Sequence, residues 1–222
     1  MLEHLPDHIS AQEPEPFAGP DHPIRVLTRA VASGKDWTSA HAERMTNLFD
    51  GLAPEWSARV DETKLAPIED ALDRGGAPLD GRWLEIGTGT GAGARTVGGR
   101  GCSIIATDIS AEMLRHASLG SAHALRSDAA ALPVRDRGVD AVLLVNMLLF
   151  PREVDRVLEQ EGSIIWINTH GDQTPIHLPA ADVLDALPGV WQGVTARAGT
   201  GFWMVARRDA ARDRGSTNGR ES

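Results

Sequence analysis

Residues 83–93 read Trp83-Leu84-Glu85-Ile86-Gly87-Thr88-Gly89-Thr90-Gly91-Ala92-Gly93. An apolar run carrying a single acid, Glu85, gives way to glycines at alternate positions, Gly87, Gly89 and Gly91. This is the pattern of a buried strand ending in a glycine turn, where backbone passes close to a bound ligand. A Cβ at those positions would block the approach or forbid the dihedral angles.

Downstream of this stretch, strands and helices alternate. Strand-like runs occupy residues 82–86, 103–107, 122–126, 139–145 and 163–168, with helices predicted over 92–98, 111–117 and 151–158. Ser110 suits the N-cap of the second of these helices, and Pro151 suits the first turn of the third. Such alternation predicts an α/β protein: a doubly wound, mostly parallel sheet with right-handed crossovers and helices on both faces. After a short helix near 180–187, strand-like runs at 191–197 and 202–207 are separated only by residues 198–201. That link is too short for a parallel crossover, so the pair is expected to be an antiparallel hairpin. The longest apolar run, 141–150, includes Asn146. It is too short to span a bilayer but suits a strand buried on both faces.

Upstream, the first 25 residues are rich in Pro, Asp, Glu and His without periodicity, and a flexible arm is expected there. Residues 26–78 are expected to form an N-terminal helical lid. Met45, Leu48, Phe49 and Leu52 fall at i, i+3, i+4 and i+7 on one helix face. Pro54 is expected to close that helix, a second helix to run over 55–72 past Pro67, and Gly75, Gly76 and Pro78 to turn the chain into the main domain at 79–207. The Arg-, Asp-, Gly- and Ser-rich tail, 208–222, is expected to be disordered.

A formal net charge of −9 argues against general nucleic-acid binding, which needs a basic stripe to meet phosphate. The single Cys102 excludes an internal disulfide framework, and the first ten residues contain no apolar core of a signal peptide. A soluble, cytoplasmic protein is expected. The His and acid residues are scattered without ligand spacing, so no metal is called for. The sequence does not disclose an oligomeric state.

The ligand of the glycine turn is decided further along the chain. Gly87-x-Gly89-x-x-Ala92, with Asp108 about 20 residues on, also satisfies the loose dinucleotide fingerprint. Three features lead away from a nicotinamide cofactor: Glu85 inside the strand end, Ser127-Asp128-Ala129 after the third strand, and a hairpin where a second mononucleotide half would stand.

Four motifs in order carry a resemblance. Residues 84–91, L-E-I-G-T-G-T-G, residues 107–114, T-D-I-S-A-E-M-L, residues 127–133, S-D-A-A-A-L-P, and residues 139–145, V-D-A-V-L-L-V, resemble those of class I S-adenosylmethionine (SAM)-dependent methyltransferases. The resemblance covers roughly residues 81–207 and implies a Rossmann-like seven-stranded sheet. Residues 47–56, N-L-F-D-G-L-A-P-E-W, are similar to a segment of small-molecule methyltransferases of the quinone-biosynthesis type.

The family pattern implies that Gly87, Thr88, Gly89 and Gly91 line the methionine and ribose side of SAM, with Glu85 near the methionine moiety. Asp108 would accept both ribose hydroxyls, or else cap the next helix. Asp128 would accept the adenine amino group, with the Ala129 N–H donating to the ring. Ile109 and Met113 would flank adenine, Met113 being equally suited to helix core. Asn146 and Met147, at the end of the fourth strand, would reach the sulfonium end or the acceptor, Asn146 being equally suited to a structural turn.

The implied reaction moves the SAM methyl group to an O, N or C atom of a small-molecule acceptor. His170, after the fifth strand, is the candidate general base, and Trp37, His41, Trp56 and His177 are candidate acceptor contacts. A SAM-binding regulatory protein without turnover and an NAD(P)-dependent oxidoreductase are the competing possibilities.

Overall fold

The computed structural model describes residues 1–9, 22–35, 37–59 and 62–209, with the side chains of residues 59, 62 and 63 left aside. Among the described residues, nine strands form one sheet: β1 (Leu2–His4), β2 (His8–Ile9), β3 (Arg82–Ile86), β4 (Ser103–Asp108), β5 (His123–Arg126), β6 (Val139–Val145), β7 (Leu158–Asn168), β8 (Trp191–Gly199) and β9 (Gly201–Arg208). Their spatial order is β1-β8-β9-β7-β6-β3-β4-β5, with β2 also paired to β8. Only β9 runs antiparallel to its neighbours.

The helices are α1 (Pro23–Ala32), α2 (Ser39–Trp56), α3 (Glu62–Arg74), α4 (Ala92–Gly99), α5 (Ala111–Arg115), α6 (Pro151–Val157) and α7 (Ala180–Ala186). The central strands are apolar on both sides, and successive residues enter different layers. Trp83, Ala141, Leu143, Ile165, Ile167, Trp203 and Val205 pack with residues of α3 and α4 on one face. Leu84, Val142, Leu144, Ile164, Trp166 and Met204 pack with residues of α1, α6 and α7 on the other. This period of two, with both sets buried, is why the strands appear in the sequence as continuous apolar runs.

From β3 the chain winds outward through β4 to β5. It then returns to β6, on the other side of β3, and winds the opposite way to β7. The winding therefore reverses between β3 and β6, and their carboxyl ends flank the crevice where open α/β sheets bind ligands.

Several expectations are corrected. The sheet has nine strands rather than seven, because the first residues are not a loose arm. β1 and β2 add to the β8 edge in parallel, and the Leu5 N–H donates to the Thr195 carbonyl at 2.9 Å. Asp7 accepts from the Arg197 N–H at 2.8 Å. Backbone pairing with a strand some 190 residues away leaves no local periodicity to read. The rest of the expected arm, residues 10–21, lies outside the described residues. Helix α1 begins within the segment expected to be irregular, with Pro23 in its first turn and the His22 ring accepting from the Ile24 N–H.

Pro54 does not close α2, which continues to Trp56. One missing N–H in the last turn of an 18-residue helix forfeits a single bond, and the helix absorbs that loss. Arg208 is the last residue of β9 rather than the start of the tail, and residues 210–222 lie outside the described residues. The apolar stripe on α2 is only partly used for packing: Met45 is buried, whereas Leu48 is 42% exposed.

Trp166 is fully buried, and its indole N–H donates to the Leu178 carbonyl at 3.2 Å. Trp166→Ala should destabilise the fold by about 3–5 kcal/mol, read as a lower urea midpoint. Leu125→Ala on the exposed edge strand β5 should cost less than about 1 kcal/mol.

Candidate cofactor and acceptor site

The β3 strand ends in a turn built from left-handed backbone, with φ of +74° at Gly87, +55° at Gly89 and +87° at Gly91. The Thr107 carbonyl accepts from the N–H groups of Gly87 and Thr88 at 2.8 and 2.9 Å, which closes the turn onto β4. Part of the glycine requirement comes from the protein's own packing. A Cβ on Gly87 would lie 2.4 Å from the Met147 sulfur, and one on Gly91 2.6 Å from Leu119 Cδ2. Gly89 faces the Trp56 indole, whose Nε1 would lie 3.2 Å from such a Cβ.

Glu85 is buried, with 1% of its surface exposed. One carboxylate oxygen accepts from the Thr88 hydroxyl at 2.5 Å, and the Ala94 N–H donates as well. Burial outweighs these bonds, and the nearby Asp108 charge adds to it, so the Glu85 carboxyl is pushed up to about 7. The other oxygen would collide with a Cβ on Gly93. Gly93 is therefore a residue of this site that the sequence analysis left unassigned, although the alternate-glycine pattern runs on to it.

Asp108 ends β4 with 8% exposure. One oxygen accepts from the Gly89 N–H at 2.8 Å and the other from the Ser110 N–H at 2.9 Å. Burial raises its carboxyl above the usual range, the backbone donors of Ser110, Gly89 and Ile109 oppose the rise, and the Asp50 charge adds to it. Capping of α5 falls to Ser110, which accepts from the Met113 N–H at 3.0 Å. Asp50 of α2 supports that cap by accepting from the Ser110 hydroxyl at 2.5 Å and the Glu112 N–H at 3.2 Å. Asp50 carries no local sequence signal, because its partners lie about 60 residues away. Met113 is buried, and Ile109 is half-buried beside it.

Asp128 follows β5. Its two oxygens accept one indole N–H, from Trp37, at 3.1 and 3.0 Å, and one of them also takes the Ala130 N–H at 2.9 Å. Trp37 stacks on His41 with centroids 6.3 Å apart and meets Phe150 edge-on at 5.1 Å. Ala129 is buried in the core cluster. The Ser127 hydroxyl is buried without a hydrogen-bond partner.

Asn146 adopts a left-handed conformation, φ +49°, at the end of β6. Its amide nitrogen donates to the Thr169 hydroxyl at 2.8 Å, and its amide oxygen accepts from the Thr169 N–H at 2.9 Å. Of the two roles open to it, the structural one is thus on display: it ties the end of β6 to that of β7. His170 follows, its Nδ1 3.2 Å from the Thr169 hydroxyl. His177 lies apart from this group. Its Nδ1 is 3.1 Å from the Asn168 amide oxygen, and its ring meets Phe202 edge-on. Burial pushes it below the usual histidine value, helped by the Arg25 charge. It lines a cavity of about 320 Å³ with Asp172, Arg197, Phe202, His4 and Asp7, beyond β7 on the β8–β9 side of the sheet.

The structure therefore gathers Glu85, the glycine turn, Asp108, Met147 and Trp56 around the β3 end. Asp128, Trp37 and His41 form a second group, Asn146 and His170 a third, and His177 stands with the separate cavity. Fold and strand-end groups define a class by architecture: an α/β protein with the Rossmann-like fold of SAM-dependent methyltransferases and acids at the carboxyl ends of consecutive strands.

Comparison with known proteins agrees. Residues 84–166 match the family model described as a methyltransferase domain. The match covers the glycine turn and the strands on either side of it, and it does not single out the quinone-biosynthesis branch. The fold is shared with a SAM-dependent methyltransferase of Thermotoga maritima described as a possible histamine N-methyltransferase, at TM-score 0.58 and 17% identity over 74% of this chain and 100% of that one. A SAM-dependent methyltransferase of Aquifex aeolicus aligns at TM-score 0.52 and 18% identity, over 77% and 98% of the two chains. A complex of the Haloferax volcanii Trm112 methyltransferase activator with a methyltransferase candidate aligns at 0.57 and 15%, over 72% and 96%. No curated protein matches the chain. Among the described residues, no helix is long and apolar enough to cross a membrane.

Gly93→Ala should destabilise the protein by about 1–3 kcal/mol in chemical denaturation, because its methyl group would collide with Glu85. Glu85 also generates a pH dependence. Its folded value, about 7, lies above its ordinary 4.5, so the protonated form favours folding. That contribution is complete below pH 4.5 and is lost progressively as pH rises to about 7, on the order of 3 kcal/mol in all. Glu85→Gln should flatten this part of the stability curve between pH 5 and 8 in urea titrations.

Proposed function

We propose that the protein transfers the SAM methyl group to an O, N or C atom of a small-molecule acceptor. The observation that carries the cofactor half of this reading is the set of three acids, Glu85, Asp108 and Asp128, at the ends of consecutive strands beside the β3–β6 crevice. The residues present fit the cofactor. Asp108 keeps acceptor capacity for ribose hydroxyls beyond its three backbone donors. The buried Ser127 hydroxyl is unpaired beside the acid assigned to adenine. Gly89 lets an indole approach its Cα closely, as a ligand would need.

When bound, SAM supplies a methyl group on a sulfonium, already electrophilic enough for direct displacement. The chain's own work is positioning. Gly87, Thr88, Gly89 and Gly91 hold the methionine and ribose side, Asp108 fixes the ribose, and Asp128 with the Ala129 N–H fixes adenine between Ile109 and Met113. Glu85 faces the cationic methionine end, where a nearby positive charge would draw it toward the carboxylate form. Holding nucleophile, methyl and sulfur in line is worth on the order of 7–11 kcal/mol.

His170 is the candidate to take a proton from the acceptor, and Asn146 holds the Thr169 that contacts it. Residues 26–78 form the cover over this edge, with Trp37, His41 and Trp56 toward the acceptor, and residues 79–207 form the cofactor domain. An N-methyl acceptor of the kind named for the Thermotoga maritima protein is one member of this acceptor class. The net charge of −9 supports a small molecule over nucleic acid. The single cysteine supports a cytoplasmic setting.

S-adenosylhomocysteine at 100 times its dissociation constant should stabilise the protein by roughly 2.7 kcal/mol in a thermal-shift assay, with no rise from NADH or NADPH. Asp108→Ala should weaken S-adenosylhomocysteine binding at least about tenfold in calorimetric titration, the order of one charge-assisted hydrogen bond. Unchanged affinity would remove Asp108 from the site.

A further inference from the structure

Two tryptophans of the N-terminal segment rest on the positions assigned to the cofactor. Trp56, near the end of α2, lies against Gly89. Trp37, ahead of α2, gives its only N–H to Asp128, nearly equidistant from the two carboxylate oxygens at 3.0 and 3.1 Å. That placement puts the donor in front of the carboxylate, between the two oxygens. Ala130 takes a further lone pair of Oδ1, so the acid is largely satisfied within the chain itself. A half-buried carboxylate without such a donor would carry a desolvation cost.

The Trp37 N–H is also a chemical match for an exocyclic amino group. It is an aromatic N–H at the rim of a flat ring, and that is what adenine would offer the same carboxylate. The ring is braced on both sides, by His41 and by Phe150. The same segment is fastened a second time, where Asp50 accepts from Ser110 and Glu112 at the head of α5.

We propose that Trp37 is an internal stand-in for the adenine amino group, an autoinhibitory donor that must leave Asp128 before the cofactor can take its place. This rests on the assignment of Asp128 to adenine made above. Cofactor entry is then an exchange of donors at one carboxylate, and it is coupled to movement of the segment that covers the acceptor. The protein in effect opens its cover only as the adenine pocket fills. Apparent cofactor affinity is lowered by the stability of the closed arrangement, as for any state that must be vacated before binding.

The test is calorimetric titration of S-adenosylhomocysteine into the full-length wild type and Trp37→Phe, which keeps the ring against Phe150 and His41 and removes only the donor. The variant should bind about tenfold more tightly, the order of one hydrogen bond to a charged acceptor. Equal or weaker binding by the variant, with the wild type binding normally, overturns the stand-in and leaves the cofactor assignment intact. Absence of binding by both proteins overturns the cofactor assignment and the stand-in with it. A second measurement needs no variant: the indole N–H resonance of Trp37 in the wild type should shift and exchange faster with water on saturation with S-adenosylhomocysteine. A resonance that stays put and protected at saturation overturns the proposal.

Discussion

A carboxylate out of water is expensive, and the Glu85 side chain sets the terms for the whole centre of this molecule. Desolvating an ionised acid costs far more than one hydrogen bond returns. The chain therefore brings Thr88 and the Ala94 N–H to it and leaves position 93 without a side chain. Those requirements fix how β3 turns into α4. With the turn fixed, the Gly89 N–H meets Asp108 and the tip of β4 is held beside that of β3. The carboxyl still sits near 7, which places a titrating group at neutral pH at the point where a cationic ligand would arrive.

Around that centre the sheet supplies direction. Both faces of β3, β6 and β7 are buried, so the polar groups of the fold concentrate at strand ends. The reversal of winding between β3 and β6 opens those ends to ligands. The same edge is used repeatedly: Asp108 after β4, Asp128 after β5, Asn146 after β6, and His170 after β7. Strand ends braced by cross-strand bonds such as Asn146–Thr169 hold these groups in fixed positions.

The described residues among the first 59 contribute at several places in the fold. They supply an edge strand pair on β8, a helix packed on the face opposite α3 and α4, and the helix that brings Asp50 and Trp56 to the groove. They also carry Trp37 to Asp128. The strand-end groove and the N-terminal helices are thus joined by a few polar contacts between segments far apart in sequence.

Much of the core was legible in the sequence because its signals are local. Alternating strands and helices, the glycine turn, the Ser110 cap and the short hairpin link each follow from a few neighbouring residues, whose backbone geometry and burial they dictate. Glu85, Asp108 and Asp128 could be singled out because each lies in or just after a strand-like run beside the glycine turn or a matched motif. Only the tertiary structure decided that Trp37 bonds Asp128, that Asp50 supports the α5 cap, that β1 and β2 lengthen the sheet, and that His177, not His170, lines the cavity beyond β7. Each of these depends on a contact between distant stretches of chain, and a polar side chain with one distant partner imposes no periodicity on its neighbours. The sequence by itself determined the sheet, the turn and the acids at its edge; the packing of the first 59 residues against them was decided only in three dimensions, where hydrogen bonds across the fold, and not spacing along the chain, select the arrangement.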